Sequence, residues 1–279
     1  MMDYKIIVLD LDGTLLNDEK IISKKDEIIL KKLYSKGIQI VIATGRNYYM
    51  AKKLTERIKE TKPIILANNG AISRLSYNDE LIEHSYLDST IFSSIYEEGL
   101  KYNLNPVIHV DEYDNGFDMI FENEDYEEAY LGYVKKEDRR VKYVKFKPKD
   151  IMNILSVCYL AEFEVLDTFS NKVRKTINGE YNVICNRNIS NRALLEFLHV
   201  NGCKWRALKK YLDRINVKPS EIIAFGDDNN DIELLFNSGL GIAMKNGTES
   251  CIKSSNMISK YDNNNSAVSF ELSKIFNIN

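Results

Sequence analysis

No stretch of this sequence approaches the roughly 20 consecutive apolar residues of a membrane-spanning helix. The opening Met1-Met2-Asp3-Tyr4-Lys5 reaches Asp10 after only four apolar residues, too few and too acidic for the core of an export signal. The four cysteines (Cys158, Cys185, Cys203, Cys251) form no CxxC pair, which gives neither a zinc-site spacing nor a disulfide framework. A reducing, cytoplasmic setting is therefore the expectation, with Cys158 a small buried hydrophobe inside Leu155–Leu160. A strong charge of either sign is also missing. At a formal net charge of -3 the chain offers no electrostatic reason to bind nucleic acid or an anionic membrane, partners that select basic faces. The local basic run Lys135-Lys136 and Arg139-Arg140 is broken by acids and reads as a solvated face. There is no internal repeat, and the one biased patch, Asp262-Asn263-Asn264-Asn265, reads as a surface loop.

What is present is an ordinary globular composition, 44% hydrophobic and 28% charged, over 279 residues. That length is more than one compact core usually organises, so a core domain with a smaller second domain is expected. Lys5–Leu9 is a continuous aliphatic run, the mark of a strand covered on both faces of a parallel sheet. A helical pattern over about Lys24 to Lys36 stops at Gly37, and Ile38–Ala43 is a second strand. A helix from about Tyr48 to Lys59 and the run Ile64–Ala67 repeat the alternation. From about Leu81 the texture changes to strand-like runs at Pro106–Val110, Phe117–Phe121 and Val141–Phe146, with helical patterns around Asp88–Tyr102 and Glu122–Gly132. After Asn178-Gly179 the runs Tyr181–Cys185 and Ala193–Leu198 suggest a hairpin. The first pattern then returns: a helix from about Trp205 to Ile215, the strand Ile222–Phe225, a helix near Asp231–Phe236, and the run Leu240–Met244. The predicted fold is α/β, a doubly wound parallel sheet built from residues 1–81 and 189–279, with an α+β domain inserted over 82–188.

In such sheets the carboxyl ends of the strands border the ligand crevice. The first strand ends in Asp10-Leu11-Asp12-Gly13-Thr14, where alternation puts Asp10 and Asp12 on one side. The second ends in Thr44-Gly45-Arg46, a hydroxyl and open backbone N–H groups at a helix start, suited to phosphate. Lys204 opens a helix, and Ile222–Phe225 runs into Gly226-Asp227-Asp228-Asn229-Asn230-Asp231. Asp10, Asp227 and Asp231 together offer the carboxylates a hard divalent cation takes. Taken singly, DLDGT also reads as an Asp-Gly turn, Thr44-Gly45 as a helix cap and Lys204 as a solvated lysine. The GxGxxG fingerprint, the Walker loop and the EF-hand ligand pattern are absent.

DLDGT, TGR, a lysine and GDDNND, in that order, resemble the four motifs of the haloacid dehalogenase superfamily. The inserted domain, Asn68-Asn69-Gly70-Ala71 and Ala243–Asn246 resemble its Cof-like sugar-phosphatase branch, with the α/β cap known as type C2 or IIB. The resemblance implies a magnesium-dependent phosphatase acting on small phosphomonoesters, with Mg2+ as cofactor. Asp10 would be nucleophile and metal ligand, and Asp12 acid and base with its carbonyl on the metal. Leu11, Thr44, Gly45, Lys204 and Asn230 would hold the phosphate. Asp227 would ligate the metal, and Asp231 would do so through water or orient Lys204. The chain departs from the family pattern with Trp205 after the lysine, His199 where proline is common, and Lys245 for a frequent glycine. His199 reads as structural or as a hinge residue. The leaving group would be read by cap residues, among which His109, Asp111, Tyr113 and Asp118 are candidates. A phosphomutase of the same superfamily and a non-catalytic binding protein on this fold are the alternative readings.

Overall fold

The computed structural model describes residues 4–122, 140–189 and 192–278. In chain order the elements are β1 (Ile6–Leu9), α1 (Lys24–Tyr34), β2 (Gln39–Ala43), α2 (Tyr48–Leu54), β3 (Ile64–Ala67), β4 (Ile72–Leu75) and β5 (Leu81–His84). Next come α3 (Ser89–Leu100), β6 (Val107–Val110), β7 (Met119–Phe121), β8 (Val141–Tyr143), β9 (Ile154–Ala161), α4 (Phe163–Thr176), β10 (Tyr181–Ile189) and β11 (Arg192–His199). The chain ends with α5 (Lys204–Ile215), β12 (Ile222–Gly226), α6 (Ile232–Asn237), β13 (Leu240–Ala243), α7 (Glu249–Lys253), β14 (Met257–Ile258) and α8 (Ala267–Phe276). Among the described residues no helix is long and apolar enough to cross a membrane.

The chain divides into two compact units, one of residues 1–84 and 203–279 and the other of residues 85–202. The first is built on a sheet of order β14-β13-β12-β1-β2-β3-β4-β5. From β14 to β3 the neighbours are parallel, while β4 and β5 add an antiparallel edge. β1 is buried along its whole length: Ile6 and Val8 pack with Leu208, Leu212 and Leu234, while Ile7 and Leu9 are buried on the opposite side of the pleat. From β1 the chain moves outward one way through β2 and β3, and later the other way through β12, β13 and β14. The order therefore reverses between β1 and β12, which is where such sheets open a crevice.

The second unit carries a mixed sheet of order β10-β11-β9-β6-β7-β8. Its core is aromatic, with the Tyr159 and Phe169 rings at 5.0 Å and an interplanar angle of 75°, joined by Phe92 and Phe197. The expected hairpin forms between Tyr181 and His199. Its second strand also pairs with β9, from Ala193 opposite Ala161 to Phe197 opposite Val157. This pairing corrects the boundary expected at residue 189: residues 189–202 belong to the second unit, because backbone groups of β11 are satisfied by β9. At the other boundary Leu81–His84 pairs with β4, which places 82–84 in the first unit. α4 is not among the helices expected from the sequence, although Leu166, Phe169, Ser170 and Val173 are buried at helical spacing. The helical pattern read over 122–132 and the basic run at 135–140 lie outside the described residues apart from Glu122 and Arg140, and Arg140 pairs with Asp118 instead of standing on a solvated face.

Cys158 is buried, as expected, and donates to Glu196. His109 and Asp118, two of the candidates for reading the leaving group, are interior residues of the second unit, 2% and 4% exposed. Asp118 pairs with Arg140 at 3.3 Å. Asp111 accepts from the Tyr86 hydroxyl at 2.6 Å, and Tyr113 lies under the Arg140 guanidinium, 4.6 Å from its ring centre. Burial holds the His109 imidazole down to about 4, from an ordinary 6.5, so it is neutral in the folded protein at neutral pH. The unfolded chain takes up the proton first as pH falls. Stability present above the unfolded value is thus lost between about pH 6.5 and 4, by about 3 kcal/mol. Urea unfolding from pH 7 to 4.5 should show this decline, and His109→Gln should flatten it; equal slopes in both proteins would rule it out.

Candidate active site

Hydrogen bonding carries each central strand one residue further, into its site residue. The Asp10 N–H donates to the Phe225 carbonyl (3.1 Å) and the Thr44 N–H to the Leu66 carbonyl (2.9 Å), so both residues leave the sheet with fixed direction. Asp227 follows β12 directly, and its carbonyl accepts the Thr248 N–H at 2.8 Å. Gly13 makes room for it: with φ at +72°, a Cβ there would stand 2.2 Å from the Asp227 Oδ2. Only glycine fits a left-handed position that close to a carboxylate.

Lys204, the first residue of α5, is fully buried. Its ammonium donates to Asp10 Oδ1 at 2.8 Å and Asp231 Oδ1 at 2.7 Å. Burial alone would lower its pKa, but the two carboxylates outweigh burial and raise it, so it stays charged. The other Asp231 oxygen accepts the N–H groups of Asp227 (3.1 Å) and Asp228 (3.3 Å). Trp205 does not disturb this arrangement; it is partly buried and packs against the hydrophobic core of the first unit.

Asp10, Asp227 and Asp231 each place a carboxylate oxygen within 4.8 Å of the others. Burial raises Asp10 well above the usual range, with Lys204 opposing and the two other acids adding to the rise. Asp227 is pushed up to about 7, chiefly by burial and then by Asp231. Three acids facing one lysine leave an excess of buried negative charge, and an all-oxygen donor set of this kind fits a hard divalent cation. Thr14, without an assigned role in the sequence reading, donates its hydroxyl to Asp227 Oδ1 at 3.0 Å.

Asp12 is held differently. Arg46 grips it with Nε at 2.5 Å and Nη2 at 2.8 Å, and Lys20 adds a third bond at 2.7 Å. Burial pushes its pKa up, but these cations outweigh burial and bring it to about 2. Arg46 sits in the quoted TGR tripeptide; Lys20 lies in no motif and reaches Asp12 only because the turn after Leu16 folds back. The Leu11 side chain is buried, and its carbonyl accepts from the N–H groups of Thr14 and Leu16. Thr44 is buried, and its hydroxyl accepts the Arg46 N–H at 3.1 Å. Asn230 donates from Nδ2 to Asn69 Oδ1 at 2.9 Å. His199 belongs to the second unit, 3.5 Å from Glu180.

The family model for haloacid dehalogenase-like hydrolases matches residues 7–272. The chain belongs to this family. Within it, the 5-amino-6-(5-phospho-D-ribitylamino)uracil phosphatase YcsE of Bacillus subtilis (strain 168) is 27% identical over 252 residues, covering 89% of this chain and 86% of the relative. A haloacid dehalogenase-like hydrolase from Bacteroides thetaiotaomicron superposes with a TM-score of 0.82 at 25% identity, over 98% of this chain and 100% of that one. The subclass IIB sugar phosphatase BT4131 shares the fold, with a TM-score of 0.78 at 20% identity over 99% of this chain and 100% of that one. With the family model and relatives named as phosphatases, this haloacid dehalogenase-like hydrolase is a Cof-like member and a phosphatase.

Proposed function

We propose that the protein hydrolyses small phosphomonoesters through a phosphorylated Asp10, with Mg2+ as cofactor. The observation that carries this reading is the buried Lys204 bridging Asp10 and Asp231 beside Asp227, at the point where the strand order reverses. Asp10 and Asp227, with the Asp12 carbonyl, would hold the cation, while Asp231 chiefly orients Lys204. When bound, Mg2+ offsets charge on the phosphoryl oxygens. An Asp10 oxygen attacks phosphorus, and the bond to the ester oxygen breaks. The departing alkoxide would take its proton from Asp12, which carries one only when Arg46 and Lys20 no longer hold its carboxylate ionised. Water then attacks the aspartyl phosphate, Asp12 accepts its proton, and inorganic phosphate leaves with Asp10 restored. Arg46 and Lys20 favour the carboxylate form of Asp12, the form this second step needs. Lys204, Thr44, Gly45, Asn230 and the Leu11 backbone hold the phosphoryl oxygens, where positioning and electrostatics matter most.

Excess chelator should abolish release of phosphate from an aryl phosphate, and added Mg2+ should restore it; full activity in chelator would defeat the cation assignment. A phosphomutase would return the phosphoryl group to a sugar, so stoichiometric phosphate release separates the two.

The second unit is proposed to choose the ester without supplying chemistry, since every group used above lies outside it. Substitutions at half-buried polar positions such as Asp111 and Tyr113 should change kcat/KM for a hexose phosphate and a ribityl phosphate by different factors. Uniform changes across both esters, or none, would place specificity elsewhere.

A further inference from the structure

The turn after β3 takes no part in the chemistry just described, yet it touches three of the segments that do: the loop after β2, the loop after β12 and the start of α5. Asn68, Asn69 and Gly70 are consecutive left-handed residues, with φ of 47°, 55° and 87°. Both asparagines are buried, at 2% and 1% exposure. Such a run is unfavourable for side-chain-bearing residues and persists only where the surroundings hold it. Asparagine and glycine are the residues that tolerate it best.

Three connections radiate from this turn. Toward the loop after β2, the Asn68 N–H donates to the Arg46 carbonyl at 2.8 Å and the Asn69 N–H to the Thr44 carbonyl at 2.9 Å. A Cβ on Gly45 would lie 3.4 Å from Asn69 Oδ1, so the Asn69 side chain faces the backbone offered to phosphate. Toward the loop after β12, Asn69 Oδ1 accepts the Asn230 amide at 2.9 Å. Toward α5, a Cβ on Gly70 would lie 2.7 Å from Ala207 Cβ and 2.8 Å from the Cys203 carbonyl, so the helix start that carries Lys204 rests directly on Gly70.

We propose that Asn68-Asn69-Gly70 is the positioning element that registers the phosphate-contacting groups against one another, with Asn69 the residue that aims Asn230. The inference rests on the reading of Asn230 as a phosphate contact. A primary amide turns about its last torsion over a broad, roughly two-fold profile, so an unrestrained Asn230 presents its donor or its acceptor to an anion. Asn69 Oδ1 accepts only, which fixes the Asn230 Nδ2 edge on the turn and leaves that group's second N–H to donate. Asn69 acts through Asn230 and is a positioning residue, not a catalytic one.

The test uses the full chain with Mg2+ and reads inorganic phosphate as a competitive inhibitor of aryl phosphate hydrolysis. Asn69→Gly keeps the left-handed backbone without strain and removes only the side-chain acceptor, and thermal unfolding verifies that the variant folds. Asn69→Gly and Asn230→Ala should each weaken phosphate inhibition by about tenfold, the worth of one hydrogen bond to a charged group. The double variant should be no weaker than Asn230→Ala alone, because Asn69 has no effect once its target is gone. Losses that multiply in the double variant would show a merely structural role and overturn the inference. Weakened inhibition in Asn230→Ala with Asn69→Gly within about twofold of the parent would overturn the inference while leaving the Asn230 assignment intact. Unchanged inhibition in Asn230→Ala would instead overturn the phosphate-contact reading, and this inference with it.

Discussion

Replacing Asp10 with asparagine should remove turnover and phosphoenzyme formation together, lowering kcat by about four orders of magnitude or more, as losses of a nucleophile do. The change is nearly isosteric, so it keeps an acceptor for Lys204 while removing the charge and the nucleophilic oxygen. The fold should survive. Asp10 is buried and its pKa is raised by burial and by two neighbouring acids, so neutralising it relieves repulsion as well as losing the Lys204 pair. Rapid-quench labelling with a radioactive phosphate ester gives the decisive comparison. Labelled protein in the parent and none in Asp10→Asn fits the assignment. Near-normal turnover in the variant would show that another group attacks phosphorus. Asp12→Asn should behave differently, slowing esters of poor leaving groups more than activated aryl esters, because its proposed part is proton transfer.

The second large effect is expected at Lys204. Its ammonium is fully buried between two carboxylates, so Lys204→Ala leaves Asp10 and Asp231 facing each other without their cation. Breaking a buried pair in this way costs about 3–5 kcal/mol, measurable as a lowered denaturation midpoint. Catalysis should fall as well, by about 10²–10³-fold, the usual worth of one preorganised group that stabilises transition-state charge. The loss should be equal across chemically different esters if, as proposed, Lys204 meets only the phosphoryl group they share. A variant that lost activity on one ester and kept it on another would place Lys204 at the leaving group instead. A variant of parental stability would mean that the buried carboxyls are satisfied without it.

Much of the site's composition is legible in the chain because it depends on strand ends. A continuous apolar run that stops at Asp10, and another that stops at Gly226-Asp227, mark where a buried parallel strand meets solvent, and chemistry gathers there. Lys204 was legible only by company, since nothing local separates it from a solvated lysine. What surrounds these groups was not legible. Lys20 and Arg46 both reach Asp12, yet they are far apart in sequence, and no spacing links Lys20 to a carboxylate. Asn263 stands in a stretch that reads as a surface loop, but it is 7% exposed and donates to the Leu16 carbonyl, tying the segment after Asp12 in place. Its polar neighbours in sequence concealed a buried role.

The sequence by itself determined the alternation of strands and helices and the two-domain plan, and it singled out the groups proposed to handle a phosphate, because local periodicity and strand termini are properties of neighbouring residues. Only the tertiary structure decided the boundary at 202, where β11 joins β9, because strand pairing is a choice among distant backbones that all offer the same N–H and C=O groups. It also decided which side chains hold the chemical groups in place: Thr14 on Asp227, Arg46 and Lys20 on Asp12, Asn69 on Asn230. Those contacts arise from loops brought together at one sheet edge, and a hydrogen bond between residues 69 and 230 leaves no trace in the order of either segment.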